Sequence, residues 1–105
     1  MMLRAAAICV ALLACHKHEP RTYQVAIKGM QFVPAELSVE IGDTVVWTNE
    51  DILPHTVTSG IPAPATFDSR EIASKKQWSL TVSAAGEYTY NCTYHPPMTA
   101  KLIVR

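Results

Sequence analysis

An excess of charge of either sign is missing: 9 Lys+Arg face 9 Asp+Glu across 105 residues, and charged residues make up 17% of the chain. With no basic stripe to neutralise a run of phosphates, nucleic acid is excluded as the natural partner. Long apolar runs are missing as well. The stretch from Ala5 to Cys15 ends after eleven residues, where about 20 are needed to span a bilayer. Internal repeats, low-complexity tracts and acidic or basic tails are absent. Cysteine is scarce and odd in number, and three thiols cannot all pair. What the chain does have is a hydrophobic content of 49%, enough for one packed core at the usual size of a single domain.

The amino terminus reads as a targeting segment. Arg4 precedes the short apolar run, and His16, Lys17, His18 and Glu19 follow it at once, the order of a secretory signal. Leu12-Leu13-Ala14-Cys15 resembles a bacterial lipobox, in which the cysteine is acylated and becomes the first residue of the mature chain. The expected organisation is therefore residues 1–14 as a lipoprotein-type signal, 15–21 as a tether and 22–105 as the folded domain. A plain cleaved signal or an uncleaved anchor is the alternative. His16 and His18 are read as part of a solvated linker. The expected location is the periplasm or another extracytoplasmic face, with lipidated Cys15 the only tie to the membrane.

Cysteine arithmetic then points at one residue. Cys9 leaves with the signal and Cys15 carries lipid, so Cys92 stands alone in an exported domain. An idle thiol in an oxidising compartment is a liability, so Cys92 needs an occupation.

From Thr22 onward apolar and polar residues alternate in short segments: Tyr23-Val25-Ile27, Leu37-Val39-Ile41, Trp78-Leu80-Val82 and Tyr88-Tyr90-Cys92. Gly42-Asp43 and Ala84-Ala85-Gly86 supply turns between them. Period-two segments at this spacing predict an all-β, antiparallel Greek-key β-sandwich of about seven to eight strands. Trp47 and Trp78 are expected in its core, and Lys75-Lys76 in an exposed turn. The segment from Gly60 to Ser74, with Pro62 and Pro64, is expected to be a long loop with one short helical turn after Asp68.

Cys92-Thr93-Tyr94-His95-Pro96-Pro97-Met98 sets a thiol, an imidazole and a thioether at three-residue steps. In a tight, turn-rich loop such residues return to one side. Pro54-His55 follows the strand end Trp47-Thr48-Asn49, and a sandwich can bring that end beside the Cys92 loop. The combined donors, one thiolate, two imidazoles and one thioether, match the His₂Cys site with a weak axial Met that defines blue copper centres. Zinc has little use for a thioether. Four protein donors also leave no open position for an activated water, which argues against hydrolysis.

Thr22 to Arg105 resembles the cupredoxins. Met30-Gln31-Phe32-Val33-Pro34, Gly42-Asp43-Thr44-Val45, Trp47-Thr48-Asn49, Pro54-His55 and the compact Cys-x-x-His-x-x-Met loop are similar to the amicyanin-like branch in particular. The resemblance implies one type 1 copper, with His55, Cys92 and His95 as strong ligands and Met98 as the axial one. It also implies that Asn49 braces the ligand loops. Members commonly carry Pro where this chain has Tyr94, while Pro96 is kept. An amide at Tyr94 is expected to donate toward the thiolate sulfur and raise the reduction potential.

The function implied is a non-enzymatic, monomeric carrier of single electrons between a redox donor and acceptor that dock transiently. Contact is expected around the exposed edge of His95, through Leu53, Pro54, Tyr94, Pro96 and Pro97. A periplasmic copper chaperone, store or sensor is the alternative. A cysteine nucleophile with His95 as base fits poorly, since it leaves Met98 without a role.

Overall fold

The computed structural model describes residues 18–105. Cys9, Cys15, His16 and the apolar run lie outside those residues. Among the described residues, eight strands form two four-stranded sheets. β1 (Thr22–Ile27), β2 (Phe32–Val33), β4 (Thr44–Asn49) and β6 (Gln77–Thr81) make one sheet, in the order β2-β1-β4-β6. β3 (Glu36–Val39), β5 (Thr58–Ser59), β7 (Gly86–Cys92) and β8 (His95–Val104) make the other, in the order β3-β8-β7-β5.

The sandwich and its strand count agree with the sequence pattern, but the sheets are mixed rather than wholly antiparallel. β1 runs parallel to β4, from Thr22↔Thr44 to Ile27↔Asn49, and β3 runs parallel to β8. Alternation reports which face of a strand is buried, not the direction of its neighbour, so it is silent on this point.

Period two is obeyed closely where it matters. Val45, Trp47 and Asn49 on β4, and Tyr88, Tyr90 and Cys92 on β7, all point inward and are buried. Trp47 stands edge-on to Tyr90 at 5.6 Å between ring centroids, and Phe32 meets the same tyrosine at 4.8 Å. Trp47 Nε1 donates to the Tyr90 hydroxyl at 3.2 Å, so neither polar tip is stranded in the core. Burial pushes the Tyr90 phenol up to about 12, with the Trp47 N–H opposing it. Trp78 is half-buried and packs against the core at 5.5 Å from Trp47.

Two expectations about connecting segments are corrected. No helical turn follows Asp68; the chain there lies extended along the segment that carries His55. Thr58 bridges Asp68 and His55 bridges Ile72, through Ser69 N to Val57 O at 2.9 Å and Ile72 N to His55 O at 2.8 Å. Arg70, at φ 63°, makes the bend between the two bridges, and a left-handed residue there stops a right-handed turn. Nor is His18 part of a solvated linker. Its ring packs onto the sandwich, with Nε2 2.7 Å from Asp43 Oδ1 and Nδ1 3.0 Å from Glu40 Oε2.

Candidate metal centre

β7 and β8 form the hairpin that carries three of the four expected ligands. Cys92 is the last residue of β7, His95 the first of β8, and the two are paired directly across the Thr93-Tyr94 turn. Proximity of thiol and imidazole therefore comes from opposed hairpin positions rather than from three-residue steps in a tight, turn-rich loop. Beyond the turn the register jumps, because Asn91 pairs with Thr99 while Cys92 pairs with His95. Pro96, Pro97 and Met98 are the extra residues on β8. Proline has no amide for the ladder, and two in succession displace β8 so that Met98 turns inward and is buried while both prolines stay exposed.

His55 arrives from the other sheet's side, just after β4, and is wholly buried. Asn49, buried at the end of β4, fixes that approach. Its Nδ2 donates to the carbonyls of Leu53 at 2.9 Å and Ile72 at 3.0 Å, and its Oδ1 accepts from Asp51 N at 2.9 Å. Asn49 thus ties the backbones of Leu53, Ile72 and Asp51 together through three hydrogen bonds.

The Asp51 carboxylate accepts from the Gly29 and Met30 amides at 2.7 and 2.9 Å and from His55 Nε2 at 2.9 Å. Desolvation pushes the Asp51 carboxyl up, but the two amides and His55 together outweigh it and hold the group below the ordinary carboxylate range. A carboxylate that accepts from Nε2–H leaves the Nδ1 lone pair free. That Nδ1 faces Cys92 Sγ at 3.8 Å.

These separations test whether one ion fits. With metal–donor bonds of about 2.0–2.3 Å, sulfur and nitrogen ligands set at about 120° lie roughly 3.8 Å apart. The His55 and His95 ring centroids are 5.2 Å apart, close to the separation of two imidazoles set at roughly 110° around one ion. Among the described residues no three His, Cys, Asp or Glu side chains close into a cage by themselves. The convergence is pairwise, sulfur with His55 and His55 with His95, and Met98 is buried and lines the same depression as His95. Thiolate, two imidazoles and a thioether suit copper better than zinc or a hard cation.

Cys92 is fully buried, and its sulfur accepts from the Thr56 amide at 3.2 Å. The Tyr94 amide makes no such bond, contrary to the sequence expectation. Thr93 and Tyr94 are instead stapled to the flanks of His55: Thr93 N donates to Thr56 Oγ1 at 2.9 Å, and the Tyr94 hydroxyl to Glu71 Oε1 at 3.1 Å. Desolvation first, then Glu71, pushes the Tyr94 phenol up.

His95 is half-buried and borders a depression of about 790 Å³ lined by Met30, Phe32, Tyr94, Pro96, Pro97 and Met98. Of the expected contact patch, Tyr94, Pro96 and Pro97 line it, whereas Leu53 and Pro54 do not. Leu53 is exposed on the neighbouring turn and Pro54 is half-buried. Sequence reasoning missed Asp51 and Thr56. Asp51 followed the singled-out Asn49 by two positions, but the amides it collects are 21 and 22 residues away.

Comparison with known proteins agrees with this geometry. Amicyanin of Paracoccus denitrificans is 38% identical over 82 residues, which is 76% of this chain and 63% of that protein. This chain thus spans somewhat less than two thirds of that relative. Amicyanin-alpha of Methylorubrum extorquens is 33% identical over 95% of this chain and 86% of its own length. Chloroplastic plastocyanin of Chlamydomonas reinhardtii is 34% identical over 72% of this chain and 59% of its own. A solved Cu(I) form of an amicyanin variant superposes with a TM-score of 0.73 at 36% identity, covering 80% of this chain and 82% of the other. Residues 21–105 match the copper binding proteins of the plastocyanin/azurin family, and the chain belongs to that family.

Proposed function

We propose that His55, Cys92, His95 and Met98 hold one type 1 copper and that the protein carries single electrons between a redox donor and an acceptor, without catalysing a reaction of its own. The observation that carries the assignment is the buried pair of Cys92 Sγ and His55 Nδ1 at 3.8 Å. Copper, when bound, supplies the Cu(II)/Cu(I) couple.

The chain's own residues explain why such a centre suits electron transfer. His55 is fixed through Asp51, Cys92 through the Thr56 amide, and the hairpin through Thr93 and Tyr94. Donors held this firmly move little when the charge at the site changes. The Thr56 N–H lowers electron density at the sulfur and so favours the reduced state. His95 alone among the three strong donors is partly open to solvent, which makes its edge the short route in and out. The depression beside it, bordered by Phe32, Pro96, Pro97 and Met98, suits small, transient contacts with partners.

Deep burial of Cys92 and His55 argues against a chaperone, which must surrender its metal to an acceptor's ligands. Residues 1–14 serve as a lipoprotein-type signal and Cys15 as the acylated residue, so the domain works on an extracytoplasmic face as a tethered monomer. The lipobox resemblance and the short apolar run support that placement.

Adding Cu(II) to the purified protein and recording the visible spectrum tests the centre. An intense thiolate-to-copper band that disappears in Cys92→Ala is expected; a colourless wild-type protein overturns the assignment. Cys15→Ser tests the anchor, since unchanged detergent partitioning would remove it.

A further inference from the structure

We propose that His18 clamps the entering chain to the pole opposite the metal centre, so that a lipid on Cys15 holds the copper-facing pole away from the bilayer. The orientation rests on the lipidation proposed above; the clamp does not. Both nitrogens of the His18 ring meet carboxylates, Nε2 with Asp43 Oδ1 at 2.7 Å and Nδ1 with Glu40 Oε2 at 3.0 Å. The receiving group is no casual surface acid. Asp43 is fully buried, and its two oxygens also take the Arg21 amide at 2.8 Å and the Glu40 amide at 2.9 Å. Arg21 O in turn accepts from Thr44 N at 2.9 Å. Residues 18–21 are thereby hydrogen-bonded into the Glu40–Thr44 turn before β1 begins.

Strand register fixes where that turn lies. β1 and β4 run parallel from Thr22↔Thr44 to Ile27↔Asn49, and Asn49 is the residue that braces the His55 segment. Clamp and metal centre therefore occupy opposite ends of the same six-residue strands, about 20 Å apart at the usual rise per residue. A free tether from Cys15 to Thr22 reaches about 25 Å, enough for the domain to roll its copper pole onto the membrane. Clamped at His18, the leash from Cys15 shortens to about 10 Å. Turning the copper pole face-on to the membrane would lift the clamp about 20 Å from the headgroups, twice that leash, so the copper pole cannot be the membrane-facing end.

The test uses the full lipidated protein, loaded with Cu(II), on phosphatidylcholine vesicles that carry headgroup nitroxides, together with trypsin digestion. In wild type, copper enhances the nitroxide relaxation only weakly and the Arg21–Thr22 bond resists trypsin. His18→Ala keeps the Glu40 amide on Asp43, so the Glu40–Thr44 turn and the sandwich should stay folded while residues 18–21 open more often; it is expected to strengthen relaxation enhancement and to be cut after Arg21 about tenfold faster, as a locally opened segment is. His18→Ala matching wild type in trypsin rate overturns the clamp. Strong relaxation enhancement in wild type overturns the orientation. Failure to partition onto vesicles sinks the lipid reading and the orientation with it, while the digestion still decides the clamp.

Discussion

His55 and Asp51 are joined at 2.9 Å, Nε2 to Oδ2, and the same carboxylate closes the Gly29-Met30 turn through two backbone amides. One side chain thus sets the tautomer of a buried imidazole and ties it to a turn more than 20 residues away. Replacing the carboxylate by an amide, Asp51→Asn, removes an acceptor and disturbs the orientation of His55. Copper affinity should fall about 10–100-fold, the usual effect of losing an outer hydrogen-bond partner, and a competition titration against a chelator that returned a change below about twofold would refute this.

Tyr90→Phe should destabilise the fold by about 1–3 kcal/mol, because the buried Trp47 N–H loses its acceptor. Urea unfolding reads the loss. The double variant Trp47→Phe, Tyr90→Phe should couple: its cost should be smaller than the sum of the two single costs. Strict additivity would show that the hydrogen bond carries nothing.

Gly86 opens β7 at φ 138°, and a Cβ there would come within 2.5 Å of Pro64 Cγ. Gly86→Ala should therefore cost about 1–3 kcal/mol from a strained backbone and a clash with a ring that cannot swing aside. Adding Pro64→Ala should recover part of the loss and leave the backbone part. A Gly86→Ala melting temperature equal to wild type would falsify both halves of the argument.

Desolvation pushes the Asp43 carboxyl up, but the Glu40 amide, His18 and the Arg21 amide outweigh it and hold the group at about 2. Since this lies below the value of 3.8 for a free aspartate, Asp43 stabilises the fold above about pH 4 and loses that contribution as pH falls toward about 2. Urea midpoints measured across that interval should decline. Asp43→Asn should have a lower midpoint at neutral pH and a flatter decline; equal slopes would exclude Asp43 as the source.

Much of this was readable in advance, for reasons that differ residue by residue. Tyr88, Tyr90 and Cys92 share a parity, so the burial of the thiol followed from period two alone. His55, Cys92, His95 and Met98 stood out in the sequence because their donor chemistry is unusual in combination. What the one-dimensional pattern concealed was long-range. Alternation does not encode that β1 and β4 run parallel, and no spacing rule joins Asp51 to Gly29 or Thr56 to Cys92. The segment after Asp68 misled because its polar residues satisfy a helical turn locally, whereas the backbone groups of Val57 and His55 offered it an edge.

The register jump between Asn91 and Cys92 confines all irregularity of the β7–β8 ladder to Pro96, Pro97 and Met98. Pairing resumes at Thr99 and runs unbroken to Val104, so the ladder's bookkeeping is indifferent to how many residues those three positions become. That makes the tip a replaceable cassette. Lengthening or trimming it would move Met98 and reshape the rim of the depression beside His95, yet leave the paired strands behind it in register, which separates the evolution of that rim from the evolution of stability.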